Sequence, residues 1–576
     1  MRDPDADARH RRSGKRTPLR LTGAGGGSPA GTRTASTATT WSPLRGRVFR
    51  GLWAANLVSA VGTWVHQVAA AWLMTDLAPT PVLVALVQAA GGLAMFLFVM
   101  PAGVLADVFD RRRVLIVAQV WLMVTAGTLG ALTIAGRMTP AALLGFTFLM
   151  GIGGALTQPA WRAVLPEVVG REELPSAIVL EGLGANAARA IGPALGGVLV
   201  ALAGAGAAFL LNAGTYMGIF AVVARWRRAH EPSDLPAERF AGAMRSGLRY
   251  VRHTPQMASV LVRMGLFILA ASALWALLPL IARVELGFSA AGYGVILSSF
   301  GAGAVGGALT IGELRRRLSF DRIAAVATVL FGLSLIGIGL TRVAPLLLGL
   351  AFVAGAAWLH LLTTFNTAAQ TVLPGWVRAR GMSMYVLVFF GGTAVGSVVW
   401  GAVADRAGLG PALAAAGVAV ICGLAARLRF RIKDTAGLNL APTRHWPAPM
   451  LAEGVGPDEG PVLASVEYPV DPSRLAEFEE AMSDIRRRRR RSGAYYWELF
   501  VDSADPHRHV EVFMVDSWAE HMRQHERVTE LDLAAENRAR ACLREGETTR
   551  VKHFLASRGW RSRLRQGGDR SASGGA

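Results

Sequence analysis

From residue 49 to residue 430 the chain alternates long apolar runs with short polar breaks, and those breaks carry many of its arginines. With about 20 residues as the length that crosses a bilayer, the runs fall near 49–74, 81–106, 113–135, 141–160, 176–203, 207–224, 259–284, 291–312, 321–341, 345–370, 381–404 and 411–431. Twelve membrane-spanning helices are expected. Outside this region the pattern changes. Residues 1–45 are rich in Arg, Gly, Ser and Thr, lack an apolar signal core, and read as a disordered basic arm. Residues 432–460 are a Pro- and Gly-rich linker, and 557–576 read as a second disordered tail. Between them, Val462 to Tyr468 reads as a strand, and Leu475, Phe478, Met482 and Ile485 mark a helix. Tyr495 to Val501 and His509 to Val515 alternate as strands. A helix from Trp518 to Arg540 and a strand from Arg550 to Leu555 complete a β-α-β-β-α-β order, which is ferredoxin-like.

Composition agrees with the pattern. The 576 residues are 52% hydrophobic and only 17% charged, too apolar for a soluble protein of this size. The net charge of +20 sits in loops and tails between spans, which argues against nucleic-acid binding. Arg111 to Arg113, Arg162 with Arg171, the 225–258 segment, Arg315 to Arg317 with Arg322, and Arg378 with Arg380 occupy alternate loops. By the positive-inside rule those loops and both termini face the cytoplasm. In 225–258, Phe240, Met244, Leu248 and Val251 recur at helical spacing among Arg239, Arg245, Arg249 and Arg252. This predicts an amphipathic helix on the inner leaflet. Cys422 and Cys542 lie in different environments, so neither a disulfide nor a thiolate metal site is expected.

The arginine breaks repeat. Gly103-Val104-Leu105-Ala106-Asp107 leads to Arg111-Arg112-Arg113, and Gly307-Ala308-Leu309 leads to Arg315-Arg316-Arg317. The offset is 204 residues throughout, as for a chain built from two duplicated helical halves. Gly103, Leu105, Ala106, Asp107, Arg111 and Arg112 resemble the loop motif between helices two and three of the major facilitator superfamily, although Val108 and Asp110 depart from it. A glycine there permits close helix approach, and an aspartate caps a helix or latches to an arginine. Gly192-Pro193-Ala194-Leu195-Gly196-Gly197 resembles the antiporter signature of that superfamily. Its proline bends the helix and its glycines allow a tight seam with a neighbour.

A second echo has Leu165-Pro166-Glu167 before the fifth span and Leu373-Pro374-Gly375 before the eleventh. With Asn186, Arg189, Asn56, Ser59, Gly62-Thr63-Trp64 and Gln67, these turns resemble the bacterial branch containing the enterobactin exporter and the transmembrane secretion effector family. The resemblance covers roughly 45–435. It implies ion-coupled, alternating-access export of a small organic molecule (siderophore, drug or secondary metabolite) across a bacterial inner membrane. Thr147 stands where drug antiporters of the superfamily often carry an arginine, which weakens proton coupling through that position. The tail resembles the antibiotic-biosynthesis-monooxygenase type of domain, which implies a dimerising or regulatory module. A tail that oxidises or senses the exported compound is the alternative.

The candidates for the transport path are the polar and ionisable residues inside spans. His66, Glu181, Arg189 and His360 are the titratable set, and Asn56, Gln67, Gln158 and Asn366 lead the uncharged set, with Thr63, Gln88, Thr157 and Gln370. His66 is either a proton carrier or a neutral packing histidine. Glu181, near its helix end and two turns from Arg189, is either its partner or solvated. The only lysines, Lys15, Lys433 and Lys552, lie outside any P-loop pattern, so no bound nucleotide or other cofactor is expected. In the tail, His521 and His525 share a helix face as a possible metal pair, but surface histidines are the expectation. The run Arg486 to Arg491 is expected to be solvated or to face anionic lipid.

The expected architecture is an all-α polytopic membrane protein of two six-helix halves, 46–224 and 259–431, joined by the 225–258 loop. A small α+β domain, 461–556, follows the linker. Its expected partners are the lipid bilayer, a small-molecule substrate, protons, and a second copy through the tail.

Overall fold

The computed structural model describes residues 40–170, 172–226, 249–432, 443, 445, 446, 456 and 459–556, without the side chains of Asp107 and Val108. The N-terminal arm to residue 39, Arg171, most of the central loop with Phe240, Met244 and Leu248, most of the linker, and the last 20 residues lie outside it. So does the latch expected of Asp107.

Among the described residues, eleven helices are long and apolar enough to cross a membrane. The first half contains α1 (Arg47–Leu77), α2 (Pro81–Val108), α3 (Arg111–Ile134), α4 (Pro140–Val168) and α5 (Leu174–Arg225). The second contains α6 (Pro255–Leu280), α7 (Ala290–Arg317), α8 (Phe320–Leu340), α9 (Ala344–Val372), α10 (Gly375–Ala407) and α11 (Leu409–Cys422). The difference from the expected twelve lies in α5, which is 52 residues long and breaks at Gly204, φ 79°. Only glycine adopts that conformation cheaply. One residue therefore turns the chain between two crossings, and each half holds six.

Local signals explain the starts. Proline occupies the first turn of α2, α4, α5, α6 and α9, where its missing N–H is not needed. Asp110 caps α3 by accepting from the Arg113 amide at 3.0 Å, and Thr139 caps α4 at 3.2 Å.

The two halves meet along α5 against α7 and α2 against α10. A Cβ at Gly197 would come 2.5 Å from the Ala290 carbonyl oxygen, and one at Gly301 would come 2.5 Å from that of Arg189. At the next seam a Cβ on Gly401 would come 2.7 Å from Ala85. Only glycine permits backbones this close. An Arg283–Asp76 ion pair bridges the halves beside the loops that lack arginine clusters, and Trp72 stacks on Tyr293 at 6.1 Å nearby. At the other, arginine-rich end, Gly103, Gly182, Gly312 and Gly375 have no neighbour within 4 Å of a Cβ position among the described residues.

The arginine turns bind within each half rather than between halves. Arg111 donates to the Glu167 carboxylate at 2.7 Å and to the Ala163 carbonyl at 3.3 Å, tying α3 to α4. Arg112 caps the end of α5 by donating to the Val223 and Ala224 carbonyls at 3.0 and 2.6 Å. Arg315 donates to the Thr363 carbonyl at 3.2 Å and to Thr367 Oγ1 at 2.8 Å, tying α7 to α9.

The tail is a four-stranded antiparallel sheet in the order β2-β3-β1-β4, with β1 Val462–Pro469, β2 Tyr496–Val501, β3 Arg508–Val515 and β4 Arg550–Leu555. Helix α12 (Leu475–Ser492) buries Phe478, Met482 and Ile485 against it. The helix expected over 518–540 is two helices, α13 (Trp518–Arg527) and α14 (Glu530–Arg540). Val528 is extended, and Thr529 with Asp532 forms a capping box that restarts the helix. The tail rests on the arginine-rich end of the second half. Arg527 lies 4.4 Å over the Trp376 ring, Arg491 lies 5.4 Å over Tyr250, and Arg249 donates to the Gly493 carbonyl. Tyr250 and Val251 are buried, so this end of the central loop does not lie on a lipid surface.

A candidate transport cavity between the halves

A cavity of about 570 Å³ lies between the halves. Its polar groups come chiefly from the first half, where Asn56, Ser59, Thr63, Gln67, Gln88, Gln119, Thr157 and Gln158 line it with His66 and Arg189, among apolar side chains such as Trp64, Val84 and Met95. Its second-half wall is mostly apolar and aromatic, with Trp275, Trp358, Phe389 and Phe390. Trp275 and Trp358 pack edge to face at 5.9 Å, and Trp64 reaches from α1 to within 6.3 Å of Trp275. Together the walls offer stacking surfaces on one side and hydrogen-bonding groups on the other.

Five of the eight predicted path residues line this cavity: Asn56, His66, Gln67, Gln158 and Arg189. The other three do not. Glu181 sits behind α1, accepting from Asn56 Nδ2 at 3.0 Å and from Trp161 Nε1 at 3.1 Å. Those donors, and not Arg189, are its partners, and Arg189 donates to Asn186 Oδ1 at 3.4 Å. His360 packs α9 on α7, its ring nitrogens placed at the Ala356 carbonyl (2.7 Å) and Thr310 Oγ1 (3.1 Å). Asn366 accepts from Gln370 one turn along the same helix, and neither reaches the cavity. Neither do the two sequence motifs. Gly103, Arg111 and Arg112 lie at the arginine-rich turn, and Gly192, Pro193, Gly196 and Gly197 form helix contacts. A Cβ at Gly192 would meet Trp64 at 2.6 Å, one at Gly196 would meet Val65 Cα at 2.9 Å, and Gly294 packs on the Pro193 carbonyl.

His66 is 6% exposed, lies 4.8 Å from the Phe209 ring, and its Nδ1 has no protein partner. Gln119, 1% exposed, likewise has a free Oε1. Thr147, the position without the expected arginine, is on the wall and returns its hydroxyl to the Leu143 carbonyl at 2.8 Å. Sequence reasoning missed Gln119, Tyr216, Trp275, Tyr293, Phe389 and Phe390 as lining residues. Gln119 was findable as the lone amide in an otherwise apolar run. The aromatics carry no comparable signal, because apolar spans use such residues for packing.

The tail is charged inside. Arg489, expected in a solvated run, is buried with Glu511 at 2.9 Å and Glu536 at 3.0 Å, under the Trp446 ring at 4.5 Å. Burial would lower its pKa, but the two carboxylates outweigh that and hold the guanidinium charged. His521 is 1% exposed rather than on the surface. Burial, helped by His553 and His525, pushes it down to about 3, and His525 is pushed down to about 4 chiefly by burial. Among the described residues no group of three or more His, Cys, Asp or Glu forms a metal site.

Comparison with known proteins gives a consistent picture. The sequence model of the family described as "Transmembrane secretion effector" matches residues 38–560, a range that includes the tail. The enterobactin exporter EntS of Citrobacter koseri is 28% identical over 364 residues, 61% of this chain and 84% of that protein. That of Shigella boydii serotype 4 is 28% identical over 401 residues, 66% of this chain and 93% of that one. Among solved structures, a bacterial homologue of the lysosomal transporter Spinster aligns at a TM-score of 0.55 and 13% identity, over 67% of this chain and 98% of its own. A bacterial homologue of the iron transporter ferroportin aligns at 0.54 and 15%, over 67% and 98%. At these identities the structures establish a shared fold.

Proposed function

The chain belongs to the transmembrane secretion effector family, and from that premise we propose that it is a secondary transporter exporting a small organic molecule by alternating access. The observation that carries this reading is the cavity of about 570 Å³ bounded by both halves. It is closed off beside Asp76 and Arg283 by the glycine seams. The arginine-rich end is the cytoplasmic one, by the charge of its loops, so cargo enters from the cytoplasm. Rocking of the halves about the seams then opens the far side. Energy comes from an ion gradient, with protons as the coupling ion. His66 is the coupling residue, because its ring reaches the cavity wall with one nitrogen unengaged.

The tail is a ferredoxin-like module, in keeping with its strand order. The sheet face away from its helices leaves Tyr496, Phe500 and Phe554 exposed at 38%, 46% and 52%, and a second copy covers it. A tail that oxidises cargo is the weaker alternative, since the tail cavity at Trp446, Arg489 and Glu536 is only about 20 Å³.

The test is accumulation of labelled siderophores and a fluorescent dye in cells with and without the protein, before and after the proton gradient is collapsed. Lower accumulation that returns to baseline on collapse is expected. Lower accumulation that survives collapse overturns proton coupling.

A further inference from the structure

The charge in the cavity is unbalanced. Arg189 lines it, no Asp or Glu does among the described residues, and the one protein contact of its guanidinium among the described hydrogen bonds is a long one to Asn186 Oδ1, 3.4 Å. The carboxylate two turns away on the same helix, Glu181, is already held by Asn56 and Trp161. A cation in a membrane interior is costly unless an anion or several acceptors meet it. No described residue of the cavity wall supplies that anion.

Two further observations bear on what does. His66 Nδ1 and Gln119 Oε1 are polar atoms of side chains more than nine-tenths buried; both side chains line the cavity, and neither atom has a protein partner. Beside them the wall carries the amides of Asn56, Gln67, Gln88 and Gln158, which a bound molecule with hydroxyl or N–H donors would meet. Opposite them stand the rings of Trp275, Trp358, Phe389 and Phe390. Flat aromatic surface is matched by planar, unsaturated cargo. A cationic aromatic would also stack there, but it would meet Arg189 with no carboxylate to compensate.

We infer that the cargo is a planar aromatic organic anion carrying hydrogen-bond donors. Its acid group pairs with Arg189, its donors reach the Gln119 side of the cavity, and its ring stacks on the Trp275–Trp358 wall. The inference rests on the transporter reading above and narrows it to a substrate class. Because the anion contacts the first half and the ring the second, bound cargo bridges the halves.

The experiment uses the full-length protein in proteoliposomes with an imposed proton gradient. Three fluorescent probes are compared: a hydroxycoumarin carboxylate, the matching uncharged carboxamide, and the cationic aromatic ethidium. Binding is read in parallel by quenching of tryptophan fluorescence. The carboxylate is expected to move at least about tenfold faster than the carboxamide, the ratio for one charge-assisted contact. Arg189→Gln is expected to remove that advantage, so that carboxylate and carboxamide fluxes differ by less than about twofold, whereas Arg189→Lys retains most of it. Preference for ethidium, or an Arg189→Gln protein that still favours the carboxylate, overturns the anion assignment and leaves the transporter reading intact. Should Arg189→Gln not insert, the ranking of the three probes by the unaltered protein decides. Charge-selective binding without flux of any probe overturns the transporter reading and supports the anion site. Neither binding nor flux overturns the anion assignment.

Discussion

Arg111 and Arg315 sit 204 residues apart and do the same work, each tying the end of its helix to a helix of its own half through a backbone carbonyl and one side chain. The surfaces that these two halves turn toward each other differ in kind. The first presents amides, hydroxyls, His66 and Arg189; the second presents Trp275, Trp358, Phe389 and Phe390. Duplication has kept the contacts that hold each bundle together. It has not kept the faces that meet cargo. The bundles answer to the same packing problem, whereas under the proposed reading the walls answer to different ends of one molecule.

The largest effect expected from breaking this contrast is at the aromatic wall. Trp358 packs with Trp275, Phe267, Phe300 and Phe331. Trp358→Ala should cost about 3–5 kcal/mol of stability and weaken binding of all cargo, measured by thermal unfolding and tryptophan quenching. On the polar wall, Thr157→Val should cost under about 1 kcal/mol, since its hydroxyl only returns to the Gly153 carbonyl, and change selectivity alone. Equal losses at the two walls would erase the contrast.

Next is the seam. Gly294 packs on the Pro193 carbonyl and a Cβ there would come 3.0 Å from Gly197 Cα, so Gly294→Leu should cost about 1–3 kcal/mol and reduce flux at least tenfold. Gly145→Leu, at a position open to 4 Å, should leave flux within about twofold. Arg111→Gln and Arg315→Gln should each cost about 1–2 kcal/mol, add in the double variant, and leave cargo selectivity alone. Unequal costs, or altered selectivity, would break the symmetry of the two frames.

The tail touches the end of the central loop and the second half among the described contacts, and its pH response should be its own. His521 and His525 are held neutral by burial, with folded values of about 3 and 4. The unfolded rings protonate near 6.5, so their contribution is complete above that pH and is lost as pH falls toward 4. Hydrogen exchange of β1 and β3 amides in the full chain should speed up from pH 7 to 5, after correction for intrinsic rates, by the equivalent of about 1–2 kcal/mol. Membrane-helix amides should not follow. The smallest effect belongs to Arg283–Asp76, whose side chains are 36% and 46% exposed. Asp76→Asn should cost under about 1 kcal/mol and change flux less than threefold. An Asp76→Arg, Arg283→Asp exchange should restore it.

Much of the frame was legible in the sequence. Run length marked the spans, including the pair that meet at the Gly204 break, and the 204-residue echo marked the two halves. The cavity was half legible. A polar residue in an apolar span stands out, so Asn56, Gln67, Gln158 and Arg189 were found. Spacing alone does not tell whether such a residue faces the partner half or a neighbour in its own half, so His360, Asn366 and Glu181, named with the others, lie off the cavity. Among the aromatics, the tryptophans Trp64 and Trp358 stood out, but Trp275, Phe389 and Phe390 carry no signal as lining residues until the helices are packed. In the tail, Arg489 looked like one more charge in an exposed run; its burial depends on Glu511 and Glu536, both distant in sequence.

The central claim is that the two halves rock about the glycine seams. With exposed Cys422 replaced by serine, spin labels at Thr80 and Asp405 report on the closed end, and labels at Leu105 and Ser383 report on the arginine-rich end. Pulsed electron resonance distances in proteoliposomes, before and after cargo and a proton gradient are supplied, give the answer directly. The account predicts that the first distance lengthens as the second shortens. Flux with both distances unchanged would contradict it.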